Sequence, residues 1–509
     1  MKRFYKKECE SVCEYTLPDY MGDVKKILSV SAKAQPSGKF ASDGELECSG
    51  IVSYDILYSD SEGKLTHAAL SSDYDITFSV DSERYLDSFV SATAASPTLR
   101  LNGPRKLTAK SVVTNNLTLM LEDAVTTAGS AFADGFSPEV DRRSLQVEGR
   151  IFSSRSEREY AEEAERLADV IADDVEIIAT SGAVRILESE AVDGAVKVKG
   201  EMIITVIVRT REQPPFAIRK TVPFEQNVDF ATLTPGMAVS SDALLSSVSA
   251  GVADDGAEGS VVTVNAICEI TCMTAENREV TPIVDAYLKN RDTDGTYRDF
   301  SYTELLGMGS LDNSFEASVM RSEVGCEDIR DVIYAAFTLR DVEYKVVKGG
   351  LDISANATVC AVACEINDKN EPQYLPLKFS SPMQLGVNCG FPIPEGAEIE
   401  LELIPIDARH TILEDKITFK CSLTLKWSVA KNHTVRVMSE CNVVSASDSP
   451  QNKSTVTVYY PDSEESLFDI AKRFHTTCAK IAGDNSLSDA TFSSRDSATS
   501  LGIKKLIIR

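Results

Sequence analysis

The stretch LECSGIVSYDILYS, residues 46–59, recurs twice further along the chain. VKVKGEMIITVIVR at 196–209 and LDISANATVCAVAC at 351–364 align with it without gaps, at spacings of 150 and 155 residues. Each copy begins with two apolar residues that flank a polar one, has a small residue at its fifth position, and continues as a second alternating run. This pattern predicts a long β-strand that is kinked or bulged at the small residue.

A second set of alternating runs lies downstream of each copy and keeps nearly the same period. Leu107, Val262 and Ile417 are equivalent in these runs, at spacings of 155 residues. Alternation of apolar and polar residues indicates strands with one buried and one solvent-exposed face, which is typical of antiparallel sandwiches and barrels. We therefore predict a mainly β fold with three tandem antiparallel β-sandwich or barrel-like repeat domains, linker helices, and a small C-terminal β-α-α-β domain. The predicted boundaries are 18–128, 176–280 and 322–443 for the β-domains, 129–175 and 281–321 for the linkers, and 455–509 for the last domain.

A short landmark also recurs after the first two units. It reads DGF at 134–136 and DAY at 285–287, whereas the third unit has only SEC at 439–441.

The first linker contains SEREYAEEAERLADVIADD, 156–174, in which Ser156 and the glutamate three residues later form a capping box. The apolar residues that follow at helical spacing are Tyr160, Ala164, Leu167, Ala168 and Ile171. We predict a linker helix that lies against a neighbouring domain and exposes its glutamates to solvent.

Residues 455–509 predict two short helices between two strands. TVTVYY at 455–460 and KKLIIR at 504–509 have strand composition. Ser466 with Asp469 three residues later predicts the N-terminus of a first helix, and Thr477 predicts that of a second. The apolar sides of these helices are Leu467, Ile470, Ala471 and Phe474, and then Cys478, Ile481 and Ala482.

The bulk composition is that of a folded soluble protein. Of the 509 residues, 43% are hydrophobic and 26% are charged, which argues against disorder and suggests several domains. The formal net charge of -26 repels phosphate backbones and anionic membrane surfaces. The N-terminal sequence lacks the apolar core of a signal peptide, and no run approaches about 18 apolar residues. We expect a cytoplasmic protein without membrane insertion or a nucleic-acid partner, so retardation of duplex DNA at physiological salt would contradict this expectation.

The twelve cysteines are expected to be buried thiols rather than metal ligands or disulfides. Three pairs are four residues apart: Cys9 and Cys13, Cys268 and Cys272, Cys360 and Cys364. On a strand this spacing puts both sulfurs on one face. A structural zinc site is the alternative, but the chain has only four histidines, and none is near such a pair. We expect no metal.

The common catalytic motifs are missing. The sequence contains no GxxxxGK[ST], no HExxH and no GxSxG. It therefore lacks the local motifs of a phosphate-binding loop, of a zinc metalloprotease and of a nucleophile elbow. The scarcity of histidine also removes the usual general base. We therefore expect no enzymatic activity, no catalytic residues and no cofactor.

The C-terminal residues resemble a LysM domain in the order of their features. A strand, an acidic turn with Ser466, LFDIAKRF, TTCAKI, Asn485 and the terminal KKLIIR follow one another as in that family. The family usually has a Gly-Asp-Thr turn and a final Leu-x-Ile-Pro strand, whereas Glu464 and Glu465 stand in this turn and Arg509 replaces the proline. In glycan-binding members, the turn and the loop after the second helix form a groove for N-acetylglucosamine polymers.

A glycine in that groove lets the backbone approach a ligand closely, which a glutamate does not allow. We therefore predict that the groove has been converted to protein recognition. The predicted partner-binding residues are Glu464, Glu465, Ser466, Leu467, Asn485, Ser486 and Leu487. Leu467 is alternatively a core residue, because it begins the apolar series of the first helix, and Glu465 and Leu487 are expected to be exposed.

The repeats carry a second resemblance. An apolar-x-apolar-x-Gly strand with an ILYSD-like end, a segment such as VPFEQNVDF at 222–230 and a later DAY element are similar to the SPOCS domain of spore-forming bacteria. Tandem SPOCS domains before one LysM domain resemble the SipL-type spore coat morphogenesis proteins. That family implies a non-enzymatic adaptor in the mother-cell cytoplasm, not secreted, which binds a SpoIVA-like coat ATPase through its LysM domain. With other coat proteins it would tether the spore coat to the forespore surface. The alternative is a peptidoglycan-binding cell-wall protein that uses the LysM domain.

Overall fold

The computed structural model describes residues 2–42, 44–80, 85–121, 138–231, 233–255, 259–289, 291–325, 328–367, 371–446, 456–462, 464–487 and 503–509. The chain forms two compact units, each from three segments. Unit 1 contains Met1–Glu122, Arg150–Glu276 and Leu305–Lys431. Unit 2 contains Asp123–Gly149, Asn277–Glu304 and Asn432–Arg509. The DGF landmark at 134–136 lies outside the described residues.

The first β-sandwich of unit 1 is built from two antiparallel sheets. Its strands are β1 (Lys2–Thr16), β2 (Val24–Ser42), β3 (Glu45–Asp60), β4 (Leu65–Ser79), β5 (Tyr85–Ala94), β6 (Thr98–Gly103) and β7 (Lys106–Leu121). One sheet has the order β2-β3-β4, and the other has the order β1-β7-β5 with β6 also paired to β7. Alternate side chains of the two middle strands, such as Val52 and Tyr54 of β3 and Leu107 of β7, share a buried core.

Two further sandwiches in unit 1 have the same strand order. The next strands are β8 (Glu139–Arg142), β9 (Leu145–Ala168), β10 (Val175–Val192), β11 (Ala195–Thr210), β12 (Phe216–Asp229), β13 (Ala238–Asp254) and β14 (Gly259–Val280). Then follow β15 (Ile283–Tyr287), β16 (Arg291–Met320), β17 (Ile329–Val347), β18 (Gly350–Ile366), β19 (Pro372–Asn388), β20 (Glu398–Ile412) and β21 (Lys416–Ala446). In the second sandwich, sheet β10-β11-β12 packs on sheet β13-β14-β9. In the third, sheet β17-β18-β19 packs on sheet β16-β21-β20. The predicted mainly β, multi-sheet antiparallel fold is confirmed.

The predicted linker helix at 156–174 is wrong. These residues lie in the edge strand β9 and in a short 3-10 turn, Ala172–Asp174. Tyr160, Ala164 and Leu167 do contact the core of the second sandwich, but they do so from a strand, and Ile171 is 58% exposed. Tyr160 and Ala164 are four apart and share a face in a helix and also in a strand, whereas the steps of three residues in this series fit only a helix. Pairing with β14 then overrides the helical propensity of the Ala- and Glu-rich sequence.

Two of the three small residues of the recurring strands are covered by aromatic rings. Gly50 of β3 pairs with Tyr74, and Gly200 of β11 pairs with Phe224. A Cβ atom at Gly50 would lie 2.4 Å from the Tyr74 ring, and one at Gly200 would lie 2.6 Å from the Phe224 ring. The ladder irregularity predicted near these positions is on the neighbouring strands β2 and β10, while β3 and β11 run on without interruption. A ring packed over a strand glycine supplies the cross-strand contact that the glycine itself lacks.

The three sandwiches of unit 1 meet at one apolar cluster made of equivalent residues. Leu28, Ile178 and Ile333 contribute to it, and each is skipped by the pairing between the first and the middle strand of its sheet. A bulge changes the direction in which the side chain of the skipped residue points. Here the three skipped side chains point into the shared cluster. The middle strands contribute Leu57, Ile207 and Val362, again at spacings of 150 and 155 residues.

Charged groups join the second and third sandwiches beside this cluster. Arg219 of β12 donates a hydrogen bond to Asp407 of β20, and Lys426 of β21 lies 2.7 Å from Asp242 of β13. A cleft of about 470 Å³ opens at this junction, and His410 Nε2 lies 3.1 Å from Asp331 Oδ1 in its wall. The Arg219–Asp407 and Lys426–Asp242 pairs hold the two sandwiches together. His410 and Asp331 both belong to the third sandwich.

Unit 2 combines a short strand pair with the C-terminal elements. β8 and β15 pair antiparallel, and β22 (Thr457–Tyr459), α1 (Leu467–Arg473), α2 (Cys478–Asp484) and β23 (Leu506–Ile508) follow. The buried apolar residues contributed by the strands include Leu145, Val147, Val284, Val435 and Val437. No helix of the described residues is long and apolar enough to cross a membrane.

Candidate functional site

The closing module, residues 456–509, has the predicted order strand, helix, helix, strand. β22 and β23 pair antiparallel, with Val458 opposite Ile507. Leu467, Ile470 and Ala471 of α1 and Ile481 of α2 pack with Leu506 and Ile508 of β23 in one buried cluster. Two helices of seven residues each are too short to be stable alone, so this shared core holds them.

Both predicted helix caps are present. The Ser466 side chain accepts a hydrogen bond from the Asp469 backbone N–H at 3.1 Å, and the Asp469 carboxylate accepts one from the Ser466 backbone N–H at 3.3 Å. This reciprocal pair is the predicted capping box. Thr477 caps α2 by accepting from the Lys480 backbone N–H at 3.0 Å. The caps satisfy backbone donors that these short helices would otherwise leave unpaired.

The structure divides the predicted residues of the turn into exposed and buried ones. Glu464 is exposed, whereas Glu465 and Ser466 are each only 9% exposed. Leu467 is fully buried in the core of the module, so the alternative role considered for it is the one observed. The expected exposure of Glu465 is wrong. Its carboxylate accepts a hydrogen bond from Tyr459 Oη at 2.7 Å and lies 2.7 Å from Arg473 Nη2, so it is held inside the turn.

The residues after α2 are divided in the same way. Asn485 donates from Nδ2 to the backbone oxygens of Ile481, at 2.8 Å, and Ile507, at 2.7 Å, and its Oδ1 accepts from the Ile507 N–H at 2.7 Å. It therefore fastens the end of α2 to β23. Ser486 is exposed, and Leu487 is half-buried against the core of the module rather than exposed as expected. Among the predicted residues of the turn and of the segment after α2, Glu464 and Ser486 are the exposed ones.

We expect Glu465→Lys to destabilise the closing module by about 2–3 kcal/mol, because it places a second cation beside Arg473 and removes the acceptor of Tyr459. The exposure of Arg473 limits the effect. Chemical denaturation monitored by hydrogen exchange of residues 464–487 measures the loss. Glu464→Lys, at the exposed neighbouring position, is the matched control. Equal stability of the two variants would show that the carboxylate of Glu465 contributes nothing to the fold.

The DAY tripeptide holds the helices of the closing module, a role that the sequence did not reveal. The Tyr287 hydroxyl donates to the Thr476 backbone oxygen at 2.6 Å, and its ring meets Phe468 edge to face at a centroid distance of 5.2 Å. Tyr287 is 2% exposed, and this burial raises the pKa of its phenol. Lys472 Nζ donates to both carboxylate oxygens of Asp285, at 2.8 and 2.6 Å. The recurrence of the tripeptide was the only signal in the sequence that pointed to these residues.

The cysteine pairs of the second and third sandwiches lie on middle strands. Cys268 and Cys272 of β14 are fully buried, and burial raises the pKa values of their thiols to about 12 and about 11. Cys364 of β18 is also buried, and its neighbour Cys360 is partly buried. Within the described ranges, no cluster of three or more His, Cys, Asp or Glu side chains could hold a metal ion. Cys326 lies outside the described residues.

Comparison with known proteins relates one segment of unit 1 to a family. Residues 175–253 match the family model described as SipL, SPOCS domain, and they comprise β10 to β12 and nearly all of β13. No curated protein matches the chain. A solved structure described as lipopolysaccharide binding protein shares 8% identity over 52% of this chain and 91% of that chain, with a TM-score of 0.08, which carries no argument about fold. The second sandwich is thus similar to the SPOCS domain of SipL, and this match supports a SipL-like protein.

Proposed function

We propose that this protein is a non-enzymatic adaptor in spore coat assembly. The match of the second sandwich to the SipL SPOCS domain carries the proposal. The same strand order in the other two sandwiches, and the β-α-α-β module after them, agree with tandem SPOCS domains followed by a LysM domain. In this proposal the protein lies in the mother-cell cytoplasm at the forespore surface. Its closing module binds a SpoIVA-like coat ATPase and so tethers the coat.

The turn of the closing module favours a protein partner over a glycan. Where a glycan-binding LysM domain has a glycine that admits the sugar, this chain has Glu464 pointing to solvent and Glu465 folded into the turn. Glu465 is buried and its carboxylate is held by Tyr459 and Arg473, so it is not presented to a sugar at the surface. Asn485 is likewise used within the module. Peptidoglycan binding remains the alternative that the experiment below tests.

Three of the described histidines are paired with carboxylates. His67, His410 and His433 each lie 3.0 or 3.1 Å from a carboxylate oxygen, on strands of the sandwiches. In the cleft beside His410, Arg219 of the second sandwich donates a hydrogen bond to Asp407 of the third, and this ion pair joins the two sandwiches. In a scaffold protein, charged pairs of this kind serve to hold the domains together.

The test is binding of the full-length protein to a purified SpoIVA-like ATPase and, separately, to insoluble peptidoglycan. The full chain is required because Tyr287 and Asp285, outside residues 456–509, complete the core and the ion pairs of the module. We expect wild-type protein to bind the ATPase and not the peptidoglycan. Glu464→Lys should weaken ATPase binding about tenfold, since reversal of an exposed charge at an interface costs on the order of 1 kcal/mol.

Glu212→Lys is the matched control, because it makes the same charge change at an exposed turn of unit 1. It should leave both measurements unchanged. Strong wild-type binding to peptidoglycan that is lost in Glu464→Lys would replace the adaptor with the cell-wall binder. Absence of ATPase binding by the wild type would reject the proposed partner.

A further inference from the structure

The end of β17 is an exposed apolar strand at the edge of a sheet. β17 stands at the end of the order β17-β18-β19, and among the described residues its outer edge has no strand partner. Val342, Tyr344 and Val346 alternate along it and are 41%, 43% and 50% exposed. An unpaired edge with apolar side chains is a template for another strand, and proteins normally block such edges unless they use them.

A local break in the ladder sets off this part of the strand. Pairing with β18 is regular from Glu343, opposite Ser354, to Val347, opposite Gly350. Before Glu343 the register shifts, and Asp341 has a positive φ of 53°, which marks a bulge. The regular edge available to a partner is therefore short, from about residue 342 to residue 347, and ends at the turn beyond Val347.

We propose that this edge pairs with the same edge of a second copy of the chain, antiparallel and centred on Tyr344. In that register Val342 faces Val346 of the second copy, and Tyr344 faces its own counterpart. Glu343 faces Lys345, and the two-fold symmetry makes this ion pair twice. A symmetric interface of this kind requires a self-complementary patch, and the sequence VEYKV at 342–346 has that property in both charge and apolarity.

Other registers are disfavoured by the same residues. A slip of one residue would place the apolar side chains opposite the charged ones and on the wrong face of the sheet. A slip of two residues would place Glu343 opposite Glu343, or Lys345 opposite Lys345, and like charges directly opposite each other are destabilising. Centring on Tyr344 is therefore the register in which both faces are matched.

The faces of the existing sheet agree with this pairing. Tyr344 and Val346 are paired with Ile353 and Leu351 of β18, so they lie on the face that carries the buried core of the third sandwich. Extending the sheet across the two-fold axis would cover their exposed parts with equivalent side chains of the second copy. Glu343 and Lys345 lie on the opposite face, where the ion pairs stay near water and chiefly specify the register.

Sedimentation velocity of the full-length protein over a range of concentrations tests the proposal. The wild type should sediment as a dimer of twice 55.4 kDa at high concentration and dissociate on dilution. Glu343→Lys and Lys345→Glu should each weaken self-association about tenfold or more, because each variant replaces two attractive pairs by two repulsive ones. An equimolar mixture of the two variants should dimerise again, since one chain then carries two positive charges on this edge and the other carries two negative charges opposite them.

Lys348→Glu is the matched control, because it makes the same charge change at an exposed residue beyond the ladder. It should dimerise like the wild type and unfold at the same temperature. Glu343→Lys, opposite Ser354 of β18, should also keep wild-type thermal unfolding, whereas Lys345→Glu, opposite Asp352, should unfold at a slightly lower temperature because two carboxylates then face each other within the sheet. A wild type that is monomeric at every concentration would overturn the proposal. A dimer that is indifferent to the single reversals, or a mixture that is not restored, would do so as well.

Discussion

Replacing Gly200 with valine is expected to unfold the second sandwich of unit 1. A Cβ atom at this position would lie 2.4 Å from the Arg185 backbone oxygen and 2.6 and 2.8 Å from two ring atoms of Phe224. The Arg185 oxygen belongs to the paired strand β10 and cannot move without breaking the ladder. Overpacking against rigid backbone is among the most costly of core changes, so we expect a loss of about 3 kcal/mol or more.

Chemical denaturation with hydrogen exchange of β10 to β12 measures this effect. Gly103→Val is the control, because no atom lies within 4 Å of a Cβ atom there. The equivalent position in the third sandwich already carries Ala355, opposite Met383, a flexible side chain that leaves room for a Cβ atom. A Gly200→Val protein with wild-type protection in β10 to β12 would show that the ring and the carbonyl do not restrict this position.

Replacing Tyr287 with alanine is expected to release the helices of the closing module. The change removes a ring packed against Phe468 and the hydroxyl that binds the Thr476 backbone oxygen. Loss of a buried aromatic side chain typically costs about 3–5 kcal/mol. Two short helices with a small core have little other stabilisation, so local unfolding should follow.

Limited trypsin digestion detects the release, because Lys472, Arg473 and Lys480 lie on these helices. Cleavage at these sites should become much faster in Tyr287→Ala than in the wild type. Tyr287→Phe retains the ring and loses only the hydrogen bond, so it should cost about 1 kcal/mol and change the digestion little. Equal digestion of wild type and Tyr287→Ala would mean that the DAY strand does not hold the module.

The strands and the caps could be read from local sequence because their determinants are local. Alternation of apolar and polar residues selects the strand, since side chains of a strand point to opposite faces in turn. The spacing of 155 residues identified Leu107, Val262 and Ile417 as equivalent, and all three are buried in middle strands. Ser466 and Thr477 cap their helices through contacts within three residues.

The candidate site was predicted only in part, because exposure depends on distant partners. Nothing near Glu465 in the sequence shows that Tyr459 and Arg473 will enclose its carboxylate. Asn485 could be placed after the second helix, but its hydrogen bonds to Ile507 cross a long loop. Of the seven predicted residues, Glu464 and Ser486 are exposed, and a role in partner binding stays a prediction.

The sequence by itself determined the strand-rich class, the three-fold recurrence and the order of the closing module, because periodicity and caps act over a few residues. The tertiary structure decided whether residues 156–174 formed a helix or an edge strand, because pairing with β14 selected the strand although the steps of three between apolar residues fit a helix. It also decided that Leu28, Ile178 and Ile333 turn out of their own sheets into a shared cluster. Such contacts join residues more than 100 positions apart. The free energy gained by burying their apolar surface is available only when the sandwiches have assembled.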